Sequence, residues 1–253
     1  MKLHIYKDEK EMARAAAVFC KGVIAKAQAE NGTARIALST GASQLPFFEE
    51  FVKQDVDWNR IEMFHLDEYV GIDETHIASF KKYLKERFVD KVKSVTAYLI
   101  DGMTDPALTI KKLTEEISRA PIDLGLIGIG ENAHIAFNDP PADFDGKAAY
   151  KVVDLSETCK AQQVREGWFT TPEEVCGQAI TMTCRQIMKC KTILSIVPYT
   201  IKARAIYNTL TQGTNNMTPA TLLKKHPDFT LMLDSESAAL LDATLITQAN
   251  KDG

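Results

Sequence analysis

Short apolar runs alternate with longer amphipathic segments along the chain. Lys2–Tyr6 reads as a strand. Across Glu9–Glu30, Met12, Ala16, Phe19, Val23 and Ala27 recur at the spacing of one helical face, and Gly32 follows where a helix stops. Arg35–Leu38 predicts the next strand, followed by the loop Ser39-Thr40-Gly41-Ala42-Ser43 and a helix to about Lys53. Ile61–Leu66 predicts a strand ending in Asp67-Glu68. Ala78–Phe88 reads as helix, Ala97–Ile100 as a short strand and Ala107–Arg119 as helix. Leu124–Ile129 and Ile193–Val197 are compact apolar strands, the second followed by a helix from about Thr200 to Leu210. Phe229–Leu233 is a last strand, with Asp234 or Ser235 as N-cap of a final helix.

Repeated strand–helix alternation predicts an α/β fold, a mostly parallel Rossmann-like sheet with helices on both faces. No repeat, low-complexity stretch or Pro/Gly/Ser linker interrupts it, so residues 1–253 are expected to form a single domain. In such sheets ligands bind beyond the carboxyl ends of strands. Function is therefore sought just after Leu38, Leu66, Ile129 and Val197.

Composition narrows the partners. The 253 residues are 45% hydrophobic, enough for a well-buried core. The net charge of -4 argues against nucleic acid as a partner, since that binding needs clustered Lys and Arg. An anionic ligand must instead meet a few local cations and backbone N–H groups. The five cysteines are odd in number and form no C-x-x-C pair, so neither a disulfide framework nor a metal site is expected. The N-terminal MKLHIYKDEKEM is too polar for a signal peptide, and no long apolar run suggests a membrane span. These features predict a cytoplasmic protein.

Each strand end carries candidate chemistry. Ser39–Ser43 can cradle a phosphate through hydroxyls and backbone N–H groups aided by a helix N-terminus, or can be a plain βα turn. Asp67 and Glu68 are adjacent acids, costly to bury unless paired. One can cap the next segment or act as a general base, and a free Asp at a pKa of about 3.9 needs partial burial for that task. The densest segment is I-G-I-G-E-N-A-H-I-A-F-N-D-P-P, residues 127–141. Gly128 and Gly130 allow close backbone approach to a ligand. His134, with Asp139 nearby, can move protons near neutrality. After Val197, Lys202 lies in the first turn of a helix, where a cation is mildly unfavourable and an anion is thus expected close by, while Arg204 suits solvent.

Taken together, L-D-E-Y-V-G (66–71), G-I-G-E-N-A-H-I-A-F-N-D-P (128–140), S-T-G-A-S (39–43), His76 with Ser79-Phe80, and K-A-R-A (202–205) resemble the glucosamine-6-phosphate deaminase family. Its wider relatives include 6-phosphogluconolactonases and ribose-5-phosphate isomerases. The resemblance implies an enzyme that deaminates and isomerises an amino-sugar 6-phosphate to a ketose 6-phosphate without metal or organic cofactor. It implies that Ser39, Thr40, Gly41, Ala42 and Ser43 bind the phosphate, with Lys202 and Arg165 as countercharge. Asp67 would shuttle a proton between C2 and C1, and His134 would act in ring opening, with Asp139 in place of the family's glutamate. Glu68 and Gly130 complete the expected ligand-facing set.

Two departures bear on chemistry. Asn132-Ala133-His134 stands for the typical Asp-Gly-His, and Asn138-Asp139-Pro140 for Asn-Glu-Pro. Asn132 accepts a hydrogen bond but brings no charge, and Asp139 is one methylene shorter. Galactosamine-6-phosphate relatives tolerate the Asn, so that epimer is a second candidate substrate. The family's allosteric pocket uses basic residues, of which Lys151 matches one, whereas Ala149 replaces an Arg. Family members range from monomer to hexamer, which leaves a homo-oligomer open.

Two other readings remain. A 6-phosphogluconolactonase typically has Asp-Glu-Arg at the second strand end and a Ser-Leu-Phe-Pro-like run after the His, unlike Asp67-Glu68-Tyr69 and Ala136-Phe137-Asn138-Asp139 here. A sugar-phosphate sensor with lost chemistry is the third reading, since related folds serve as effector domains of transcription regulators.

Overall fold

Continuous apolar runs mark strands that are covered on both faces. The computed structural model describes residues 1–251. Its strands are β1 (Lys2–Tyr6), β2 (Ala34–Leu38), β3 (Ile61–His65), β4 (Asp67–Tyr69), β5 (Thr96–Tyr98), β6 (Leu124–Leu126), β7 (Tyr150–Asp154), β8 (Gln178–Met182), β9 (Thr192–Val197) and β10 (Phe229–Asp234). Seven of them form a parallel sheet in the order β1-β10-β9-β6-β2-β3-β5. Every residue of β2, β9 and β10 is buried, which is why these strands show no polar alternation.

The helices are α1 (Glu9–Asn31), α2 (Leu45–Phe51), α3 (Phe80–Leu84), α4 (Asp90–Val92), α5 (Pro106–Ile117), α6 (Glu157–Arg165), α7 (Cys184–Ile187), α8 (Ala203–Thr211) and α9 (Ala243–Lys251). They cover both faces of the sheet, as expected. Ile36, Leu38 and Met232 face a core shared with α1 and α2, while Ala37, Leu231 and Leu233 face another shared with α5 and α8. Asp8 caps α1 by accepting the Glu11 N–H, and Gly32, at φ 80°, ends it.

From β2 the chain runs outward through β3 to the β5 edge and then returns to β6 on the other side of β2. Such a reversal opens a crevice at the carboxyl ends of the two strands. The Ser39 N–H donates to Leu126 O across it at 3.1 Å.

Several expectations need correction. The strand expected over Ile61–Leu66 stops at His65, and residues 67–69 enter a second, antiparallel sheet, β4-β8-β7, whose other two strands the apolar pattern did not mark. Helix α6, which carries Arg165, is likewise not marked by the apolar pattern. The Leu124–Ile129 strand stops at Leu126, because Ile127 leaves the ladder after donating to Leu194 O. The helix expected over Ala78–Phe88 begins at Phe80 and runs through a π turn, Lys85–Val89, into α4. Asp234 does not cap the last helix, since its carboxylate closes a turn by accepting Ser237 N–H at 2.7 Å. Asp242 accepts Leu245 N–H at 2.8 Å and caps α9 instead. Among the described residues no helix is long and apolar enough to cross a membrane.

Candidate active site

The β2–β6 crevice widens into a cavity of about 220 Å³. Ser39, Thr40, Gly41, Ala42, Ser43, Asp67, Gly130, His134, Arg165 and Lys202 all line it. Five stretches remote in sequence therefore meet at one place.

The turn after β2 is held from three sides. Gly41 adopts φ 105°, a conformation that L side chains rarely take, although a Cβ there would meet no neighbour. Its carbonyl accepts the Tyr83 hydroxyl at 2.9 Å. Gln44 Nε2 donates to Ser43 Oγ and to Ile196 O, both at 3.1 Å, which ties the turn to β9. Ser39 Oγ is buried and has no hydrogen-bond partner. A short 3-10 turn, Ala42–Gln44, separates this loop from α2.

Lys202 closes a 3-10 turn, Thr200–Lys202, ahead of α8, rather than lying in the first turn of the helix itself. It is buried, and its pKa is lowered, chiefly by burial and further by the Arg165 charge, against the opposing pull of Glu166 and Glu131. The preceding Tyr199 is held at φ 80° while its N–H reaches both Asp234 carboxylate oxygens, at 3.0 and 3.2 Å. Arg165 is half exposed and paired with Glu131 at 2.5 Å.

Asp67 is 7% exposed, and its pKa is pushed up to about 8, first by burial and second by the charge of Glu68. That is the poise a proton-abstracting carboxylate needs near neutrality. Glu68 points elsewhere. It is fully buried, does not line the cavity, and accepts Tyr69 N–H, Ser79 Oγ–H, Phe80 N–H and Lys81 N–H at 2.6–3.1 Å. The expected ligand contact of Glu68 is thus replaced by a cap on α3, because four donors already fill its oxygens.

His134 lies flat against Gly130, where a Cβ would come within 2.1 Å of the ring, so only glycine fits. Asn132 and Asp139 stand behind the ring and not on the cavity wall. The Asn132 amide is oriented by Nδ2 donating to Asp139 Oδ1 at 3.1 Å, which turns its Oδ1 toward His134 Nδ1 at 2.7 Å. The neutral ring then carries its proton on Nδ1 and keeps the Nε2 lone pair free. Asp139, despite the shorter side chain, brings Oδ1 within 3.3 Å of Nδ1. Burial pushes the Asp139 pKa upward, but hydrogen bonds from His134, Asn132 and Ser156 and the charge of His134 outweigh it and leave a pKa of about 2. The anion that can answer an imidazolium is therefore at position 139 rather than 132.

Strand β8 joins the segments that carry Asp67 and His134. It pairs with β4, which carries Asp67. Its Thr181 Oγ1 accepts Phe137 N–H at 3.0 Å, and its Met182 O accepts Asn138 Nδ2–H at 2.9 Å, pinning the loop that follows His134.

Sequence reasoning missed Glu131, Gln162, Gln163, Glu166 and Tyr199, which also line the cavity. Gln162, Gln163 and Glu166 lie on or just after α6, whose mean face is too polar to show a helical stripe. Its one readable signal was Ser156, which accepts Cys159 N–H as N-cap. Among the described residues no group of His, Cys, Asp or Glu could hold a metal ion.

Residues 7–232 match the family described as glucosamine-6-phosphate isomerases/6-phosphogluconolactonase. A glucosamine-6-phosphate deaminase of Streptococcus pneumoniae is 32% identical over 220 residues, covering 87% of this chain and 92% of that protein. A solved monomeric glucosamine-6-phosphate deaminase superposes with a TM-score of 0.87 at 26% identity, covering 95% of this chain and all of that one. The 6-phosphogluconolactonase of Thermotoga maritima, at 17% identity and a TM-score of 0.77 over 92% of this chain and 99% of its own, shares the fold. The chain belongs to the family of glucosamine-6-phosphate isomerases and 6-phosphogluconolactonases.

Proposed function

We propose that this chain converts an amino-sugar 6-phosphate and water into a ketose 6-phosphate and ammonia. The observation that carries the reading is one cavity with an anion cradle, a carboxylate at a pKa of about 8 and an imidazole with a free Nε2 on its walls. The deaminase relatives favour this reaction over lactone hydrolysis.

In this reading the phosphate sits among Ser39–Ser43, where the unpartnered Ser39 hydroxyl and backbone N–H groups meet it, and Lys202 supplies charge. Arg165 joins by exchanging Glu131 for the phosphate. Anchoring the far end orients the reacting carbons. His134 Nε2 accepts the O1 proton and delivers a proton to the ring oxygen, opening the ring. The transient imidazolium is offset by Asp139 through Nδ1. Asp67 then takes the C2 proton while the substrate's ammonium gives a proton to O1, forming an enolamine, and Asp67 returns its proton to C1. The resulting C2 iminium adds water and expels ammonia, leaving the ketose. No step needs an oxidant or a metal.

Both glucosamine 6-phosphate and its C4 epimer, galactosamine 6-phosphate, are candidate substrates. The test is ammonia and ketose phosphate release from each, by the wild type and by Asp67→Asn. We expect turnover of at least one epimer and a loss of about 10²–10⁴-fold in the variant. Wild type inert toward both, or Asp67→Asn as fast as wild type, overturns the proposal.

A further inference from the structure

Gln163 sits on the cavity wall with only 5% of its surface exposed. The Tyr69 hydroxyl donates to its Oε1 at 2.7 Å. Tyr69 has little freedom of its own, being fully buried with its ring against Phe80, Phe137 and Phe169 at centroid distances of 5.1, 5.3 and 5.6 Å. The carboxamide is therefore turned with Oε1 toward Tyr69 and Nε2 away from it. Nε2 donates to no other described residue, since the Tyr69 hydroxyl bond is the side chain's single hydrogen bond. Its neighbour Gln162 differs, because there Nε2 is satisfied by Glu166 at 2.7 Å. An amide donor on the cavity wall that no protein acceptor occupies is available to an acceptor on a ligand.

The place of this donor limits what it can meet. Tyr69 lies two residues after Asp67 on β4, so Gln163 is tied to the strand that carries the proposed base. The phosphate end has its own donors and cations. We propose that Gln163 is a specificity-determining residue whose Nε2–H donates to a hydroxyl on the carbon chain between the reacting carbons and the phosphate. The inference rests on the sugar-phosphate reading of the cavity. A buried site built to bond a hydroxyl discriminates against ligands that do not present one there, because its donor is then stranded.

The test measures binding in the Asp67→Asn background, so that sugar is not consumed. Glucosamine 6-phosphate, galactosamine 6-phosphate and inorganic phosphate are each titrated calorimetrically into that parent, into parent with Gln163→Leu, and into parent with Tyr69→Phe. Gln163→Leu is expected to weaken the preferred sugar phosphate about tenfold, to narrow the gap between the epimers, and to leave inorganic phosphate within about twofold. Tyr69→Phe, which frees the amide without removing it, is expected to produce a smaller loss of the same kind and keeps the test alive if the leucine variant does not fold. Sugar-phosphate affinity unchanged in both variants, or falling in step with inorganic phosphate, overturns the inference. So does a parent that binds the sugar phosphates no better than phosphate itself. Ammonia release by wild type reads the reaction separately, so Gln163-dependent sugar binding without turnover would retain this inference and remove the deaminase.

Discussion

Asp67 carries a free-energy signature that is independent of turnover. Its folded pKa of about 8 lies above the ordinary carboxylate value, so between about pH 4 and pH 8 the folded chain holds a proton that the unfolded chain has released. The stability this group contributes is complete below its unfolded pKa and is lost as pH rises through about 8. Asp67→Asn cannot ionise and escapes that loss. We expect its Tm advantage over wild type to grow from near zero at pH 4 to roughly 5–10 °C at pH 8, read by scanning calorimetry. An advantage that is flat across pH, or a variant less stable than wild type at pH 8, would show that Asp67 is not ionised at the expense of the fold. At this scale the sequence marked Asp67, His134 and Lys202 as cavity-facing, because polar groups just beyond apolar strands have few structural uses. It was silent on Gln163, whose part depends on a tyrosine ninety-four positions away that shares no local pattern with it. Glu68 was misread for a related reason. Two adjacent acids look alike in a sequence, but the strand turns one to the cavity and the other to a helix end.

At the level of elements, α3 owes its position to that second acid. The helix starts with Ser79 accepting Lys82 N–H, while Glu68 takes Phe80 N–H and Lys81 N–H. Glu68→Gln keeps the shape but turns one acceptor into a donor that faces N–H groups. We expect a loss of about 2–3 kcal/mol in urea unfolding. A variant as stable as wild type would show that α3 needs no such cap. Fully buried strands were legible because both faces are covered. Strand β7 alternates weakly at the rim and β8 carries one glutamine and one threonine, so neither resembled the apolar runs of the main sheet. Helix α6 was hidden by its glutamines, the residues that make its inner face useful.

For the molecule as a whole, the reversal of strand order between β2 and β6 explains why the four strand ends stand out in the sequence. That rule depends on topology alone. The charge arrangement could not be foreseen in the same way, because Lys202, Arg165, Glu131 and Glu166 come together only in three dimensions. Lys202 is a buried cation with its pKa depressed mainly by burial, so the empty fold bears a cost that a bound anion offsets. Lys202→Met is expected to raise the Tm of the ligand-free chain by a few degrees and to abolish most of the stabilisation that inorganic phosphate gives wild type, a linkage read by thermal shift against phosphate concentration. Undiminished stabilisation by phosphate in the variant would move the anion site elsewhere.

The bridging of β4 and the His134 loop by β8 has a mechanical consequence. Asp67 and His134 ride on one chassis, whereas the proposed phosphate cradle is built from the turn after β2 and the segment after β9. A small shear of one sheet over the other would alter the reach from clamp to chemistry while leaving the two proton carriers in step.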